Sequence, residues 1–257
     1  LPRMDADLGE ALARILRDEG MRIVTDCETY GVRHDEGLYT LTTDHGQIAG
    51  TQLLIATGRR PNTADLGLET AGIELEGDRA IRVDAELRTN VPGVFAAGDC
   101  TNLPQFVYVA AAAGTHAAIN MLGGNAKLDL TRIPAVVFSD PQVATVGLSE
   151  SQAAGKGIAT ETRTLALEHV PRSLVNFDTR GFIKLVAERE SGRLLGAHAI
   201  AAEAGEIIAA AALALRAGMT VAELASEMFA YLTMAEGLKL CAQTFTKDIK
   251  KLSCCAG

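Results

Sequence analysis

Residues 181–201, "GFIKLVAERESGRLLGAHAIA", set two apolar runs on either side of Glu190-Ser191-Gly192. Apolar runs of this length around a short polar break containing glycine are the pattern of a β-hairpin. Upstream, "PAVVFSDPQVATVG" and "TLALEHV" read as further antiparallel strands. Downstream, "AGEIIAAAALALRAGM", "TVAELASEMF" and "AEGLKLCAQTF" carry helical spacing, with Thr220 placed as an N-cap. The C-terminal half is therefore expected to be an α+β unit with an antiparallel sheet, beginning where the pattern changes at Asp129–Pro134.

The N-terminal half reads differently. "GEALARILRDEGMRIV" has apolar residues at helical spacing, a stop at Gly20 and a strand-like Met21–Val24. "TYGVRHDEGLYTLTTDHGQIAGTQLLIATG" reads as a β-meander with a turn at His45-Gly46, followed by an apolar strand Leu53–Ala56. Short strands and turns lead to another buried strand, Val94–Ala97, and from Tyr108 "VYVAAAAGTHAAINML" reads as a helix of small residues. These are pieces of a mixed α/β architecture.

Composition removes several function classes. A net charge of -8 argues against nucleic acid or an acidic membrane surface as a partner. No run of 18 or more apolar residues is present, so no transmembrane helix is expected. Five scattered cysteines do not make a disulfide framework, which favours a reducing cytoplasm. No C-x-x-C pair occurs, so a tetrahedral zinc site is not expected. Cys27, Cys100 and Cys241 read as buried free cysteines, and His116 and His169 as structural or surface residues. The start lacks an initiator Met and a signal-peptide core, so the chain is expected to be truncated at its N-terminus, with a genuine C-terminus.

Two short motifs carry the chemistry. In "GVFAAGDC" (93–100) an apolar strand ends in Gly98-Asp99 shortly before the Ala-rich helix. Gly98 lets backbone approach a ligand closely, Asp99 can accept a hydrogen bond from a sugar hydroxyl, and the helix start near Phe106–Tyr108 offers free N–H groups. Taken alone, the pattern equally fits a turn in which Asp99 merely caps. The second motif, "IATGRRPN" (55–62), is a turn at a strand end 40 residues earlier.

Together these motifs resemble the FAD-dependent pyridine nucleotide-disulfide oxidoreductases, the flavoprotein disulfide reductases that include glutathione reductase and dihydrolipoamide dehydrogenase. The resemblance implies that Gly58 borders the nicotinamide site of NADPH. It also implies that Gly98, Asp99 and the backbone of Val107 touch FAD, and that the segment from Ile133 is the dimerisation domain of a homodimer. The implied division is 1–60 as the remnant of the NAD(P)-binding domain, 61–130 as the C-terminal part of the FAD-binding domain, and 131–257 as the dimerisation domain with its tail. No G-x-G-x-x-G and no C-x-x-x-x-C occurs, so the first FAD contact, the NADPH fingerprint and the redox cysteine pair are expected upstream of Leu1, and the fragment alone is expected to be inactive.

Three stretches narrow the choice within the family. "CTNLPQFVYVAAAAGTHAAINM", "YLTMAEGLKL" and the terminal "SCCAG" resemble the branch that reduces mercuric ion. The disulfide-reducing relatives carry His-Pro-x-x-x-Glu, whereas this chain has Tyr231-Leu232-Thr233-Met234-Ala235-Glu236. A phenol with a reference pKa near ~10 does not shuttle protons at neutral pH as an imidazole does. Tyr231 is left either as a weak ligand or hydrogen-bond partner, or as a packed interface aromatic. Cys254 and Cys255 suit Hg(II), a soft ion, because two adjacent thiolates can replace solution thiols one at a time. Lys250 and Lys251 favour the thiolates modestly. The bland alternative is a tail that happens to hold cysteines. The implied activity is NADPH-dependent reduction of Hg(II) to Hg(0) through FAD, with Cys254, Cys255 and Tyr231 passing the metal across the dimer interface. The alternatives are a dihydrolipoamide dehydrogenase-like disulfide reductase and a non-catalytic metal-binding dimerisation module.

Overall fold

The computed structural model describes Leu1 and residues 4–249. Helix α1 (Ala6–Asp18) precedes strands β1 (Thr29–Asp35), β2 (Leu38–Thr43) and β3 (Gly46–Gly50) and helix α2 (Val107–Met121). Then follow β4 (Ala135–Val137), β5 (Gln142–Gly147), α3 (Glu150–Gly155), β6 (Thr160–Ala166), α4 (Pro171–Val175), β7 (Phe182–Glu188) and β8 (Leu194–Ala201). Helices α5 (Ala204–Ala217), α6 (Val221–Ser226) and α7 (Glu236–Gln243) complete the order. The fold is mixed α/β with antiparallel sheets, as the strand pattern predicts. Two compact units result, and they do not follow chain order: Leu1–Thr25 groups with the residues after Leu130, and Asp26–Leu130 forms the other.

The first unit is built on a five-stranded sheet in the order β4-β5-β8-β7-β6, every neighbouring pair antiparallel. Strand β8 is buried at all eight positions because both of its faces are covered. Ala197, Ala199 and Ala201 face a core containing Ile207, Ile208 and Ala211 of α5. Ile200 faces the other way and joins Val143 and Leu8, Ala11, Leu12 and Ile15 of α1. Those four helical positions follow the i, i+3, i+4, i+7 spacing that gives one apolar stripe. Burying Leu8, Leu12 and Ile15 contributes about 2 kcal/mol each before chain entropy is counted. Gly181 enters β7 with φ +110, and a Cβ there would lie 2.0 Å from the Ile200 carbonyl oxygen, so only glycine fits.

Helix ends follow sequence chemistry. Thr220 caps α6 in a reciprocal capping box with Glu223, as the sequence predicts, and Ser149 does the same for α3 with Gln152. Helices α3 and α4 add to the expected elements. The segment "TLALEHV" is strand only as far as Ala166; Leu167–His169 form a 3-10 turn and Pro171 opens α4 at the position where its missing N–H costs nothing.

In the second unit β1, β2 and β3 form an antiparallel meander. Helix α2 lays Ala113 and Ala117 on Leu68, Ile81, Val83 and Leu87. Three expected strands are absent. Met21–Val24 and Leu53–Ala56 have no strand pairing, and Val94–Ala97 keeps a single bridge, Arg88 to Phe95. Apolar sequence favours a buried strand, but a strand exists only where another pairs with it. None does among the described residues, and Leu54 is left 87% exposed.

Candidate functional site

The second unit brings the two motifs together. Ile81 N–H donates to the Cys100 carbonyl (2.8 Å) and Asn102 N–H to the Ile81 carbonyl (3.2 Å), which fixes the turn after Ala96-Ala97. Gly98 sits at φ +88, and a Cβ there would meet the Ala110 methyl at 3.6 Å, so the turn lies close against α2. The Thr101 hydroxyl and N–H both donate to the Gly98 carbonyl, at 2.6 and 3.0 Å. Asn120 holds the far end of α2, donating to the Glu86 and Ala126 carbonyls and accepting from Ala126 N–H.

Asp99 is partly exposed on this turn. Arg59, next to Gly58, donates from one guanidinium nitrogen to Asp99 Oδ2 at 2.8 Å and from another to the Gln105 carbonyl. One side chain thus ties "IATGRRPN" to "AAGD" and to the lead-in of α2. Gly58 itself has φ +112 with open space around its Cα. Val107 is the first residue of α2 and is 87% exposed. Phe106, at the N-cap, gives no side-chain hydrogen bond to the first turn. The Phe106 and Tyr108 rings stack at 5.2 Å. A carboxylate held by Arg59, a helix start without a side-chain cap and a close-approach glycine thus lie within one turn and the helix that follows it, an arrangement that can accept hydrogen bonds from a polar ligand.

Arg59 carries no role in the sequence argument, yet it is what joins the two motifs. The signal for it was the basic pair in the turn, 40 residues before Asp99.

Tyr231 belongs to the other unit. It is 64% exposed, in a tight turn where Leu232 has φ +132 and the Thr233 hydroxyl donates to the Ala230 carbonyl at 2.9 Å. The same hydroxyl accepts from Glu236 N–H at 3.3 Å and so starts α7. Glu236, which stands where the disulfide-reducing relatives also have Glu, is the first residue of α7. It is 2% exposed and its Oε2 has no hydrogen-bond partner among the described residues. Burial pushes its pKa up, against a weaker opposing pull from Lys239. Cys241 is fully buried, its thiol donates to the Ile183 carbonyl at 3.3 Å, and burial pushes its pKa up to about 12, so it is inert. Cys254 and Cys255 lie outside the described residues. Among the described residues no group of three His, Cys, Asp or Glu is placed to hold a metal ion, and no helix is long and apolar enough to cross a membrane.

The family model for pyridine nucleotide-disulphide oxidoreductase matches residues 1–114, and the model for the dimerisation domain of the same enzymes matches residues 133–242. The chain belongs to the pyridine nucleotide-disulphide oxidoreductase family. Curated relatives in this oxidoreductase family include mercuric reductase of Acidithiobacillus ferrooxidans, 58% identical over 99% of this chain and 47% of the relative. Mercuric reductase of Shigella flexneri is 57% identical over 99% of this chain and 46% of the relative. The chain spans about half the length of these curated relatives. Among solved structures, the HOCl-induced flavoprotein disulfide reductase RclA of Escherichia coli superposes with a TM-score of 0.85 at 32% identity, over 96% of this chain and 57% of that one. LpdA of Mycobacterium tuberculosis gives 0.86 at 30% identity, over 96% and 54%.

Proposed function

We propose that this chain is part of a cytoplasmic, NADPH-dependent flavoenzyme that reduces Hg(II) to Hg(0) as a homodimer. The observation that carries this is the identity of 58% and 57% to mercuric reductases across 99% of the chain. Tyr231 supports it: the disulfide-reducing relatives use an imidazole there, and a phenol cannot replace it as a neutral-pH proton shuttle. The match of residues 133–242 to a dimerisation domain supports the homodimer.

Residues 61–130 are assigned to the FAD-binding part. The residues present fit a flavin: Asp99 is oriented by Arg59, Gly98 permits close approach, and the α2 start is uncapped beside Val107. Bound flavin would supply the electron transfer between NADPH and the cysteine sulfurs. Arg59 would hold the Asp99 carboxylate in place for the flavin, and Gly58 would border the nicotinamide. Cys254 and Cys255 capture Hg(II) by stepwise thiolate exchange and pass it by Tyr231.

The test is NADPH oxidation by the intact protein with Hg(II) and, separately, with a small disulfide. Turnover with Hg(II) and not with disulfide is expected. The opposite selectivity would assign the chain to the disulfide-reducing branch.

A further inference from the structure

The first unit has a groove of about 310 Å³ that none of this chemistry uses. Its floor is apolar, with Leu195 and Leu215, and its walls carry Arg132, Lys156, Arg193 and Arg216, with no acidic side chain among the lining residues. We infer that this groove binds a compact, multiply charged phosphate anion.

The cations come from separate elements. Lys156 is the C-cap of α3, Arg193 precedes β8, Arg216 stands in the last turn of α5, and Arg132 lies just before β4. In a chain of net charge -8, Lys156, Arg193 and Arg216 line one groove with no acidic side chain among its lining residues, the reverse of the average surface. Lys156, Arg193 and Arg216 make no ion pair among the described residues. Capping does not occupy Arg216. The last carbonyls of α5 accept from backbone N–H groups after the helix, Gly218 to Leu215 and Met219 to Ala214.

Guanidinium groups match phosphate oxygens in pairs, and an ammonium adds a point charge. The concave shape and a volume at the lower end of small-ligand pockets favour a compact anion over an extended polymer. The phosphate can be free or carried on an organic group, and the shared chemistry is the cluster of negative oxygens.

The test is calorimetric titration of the intact protein with inorganic tripolyphosphate, inorganic phosphate and adenosine triphosphate at about 0.15 M salt. Saturable tripolyphosphate binding is expected, weakened about tenfold by Arg193→Gln or Arg216→Gln and less by Lys156→Gln. All three side chains are exposed, so the variants should keep the wild-type melting temperature without ligand. Binding at any other phosphate site of the intact protein would persist unchanged in the triple variant. Of the binding that the triple variant loses, adenosine triphosphate tighter than tripolyphosphate would identify an organic carrier, and the reverse a free polyphosphate; either supports the site. Absence of saturable binding, identical binding in the triple variant, or equal binding of a poly-glutamate peptide would overturn it.

Discussion

Tyr231 exposes its ring, and its hydroxyl makes no hydrogen bond among the described residues. Tyr231→Phe is therefore expected to leave stability within about 0.5 kcal/mol of wild type. In the intact enzyme it should slow Hg(II) turnover several-fold, by about 1 kcal/mol or more of barrier, as read by steady-state NADPH oxidation with flavin content as the control. Equal turnover would return Tyr231 to an interface aromatic. Cys241 gives the contrasting case. Its burial and raised pKa predict that alkylating reagent leaves it unmodified in the native protein and modifies it only in denaturant, as peptide mass analysis would report. Gly181→Ala forces a Cβ into the Ile200 carbonyl at a positive φ, and a loss above about 3 kcal/mol is expected in urea unfolding.

Elements were legible where their partners are in the same chain. The hairpin of β7 and β8 forms in register through Phe182–Ile200 to Lys184–His198, because both runs and the strands beside them are present. Met21–Val24, Leu53–Ala56 and Val94–Ala97 have the same apolar signal and no ladder, since pairing is not a property of a single segment. The site shows the same division. Local pattern marks Asp99 and Gly98, and the motif marks Glu236, while the tie from Arg59 to Asp99 and the burial of Glu236 emerge only from the folded chain. The docking of α1 on the sheet was also unreadable, because Lys184, in the middle of an apolar run, looks like a surface position. It is 3% exposed and donates to Asp5 at 2.9 Å and Asp7 at 2.7 Å. It shares a sheet face with His198 and Ile200, on the side α1 covers. Lys184→Ala leaves two carboxylates without their cation and should cost about 3 kcal/mol. Hydrogen exchange should then show α1 losing protection before β8, whereas uniform loss would mean that the apolar stripe alone holds the helix.

For the whole molecule, the charge network makes stability a function of pH with a definite sign. Burial alone would raise the Asp5 pKa, but hydrogen bonds from Lys184, Ser151 and Glu150 N–H hold it well below the usual carboxylate range. A carboxylate depressed in the folded state stabilises at every pH above its unfolded value of about 3.9, and that stabilisation is lost as pH falls toward the folded value. Burial would lower the Lys184 pKa, and contacts to Asp7 and Asp5 reverse this to a net rise, so its contribution is lost only as pH climbs above about 10. Buried His198 is shifted down chiefly by burial and stabilises as the neutral ring above about pH 6.5, losing this as pH falls. Buried Glu236 is shifted up by burial and opposes this trend above its unfolded pKa near ~4.3. These last two partly cancel between about pH 4.5 and 6.5, so total stability is a poor probe of either. The difference between wild type and Asp5→Asn isolates the network. It is expected to be about 2 kcal/mol and flat from about pH 5 to 9, then to shrink steadily below about pH 4, as measured by urea midpoints at each pH. A difference that stayed constant down to pH 2 would mean that Asp5 acts on α1 through packing, with no contribution from its charge.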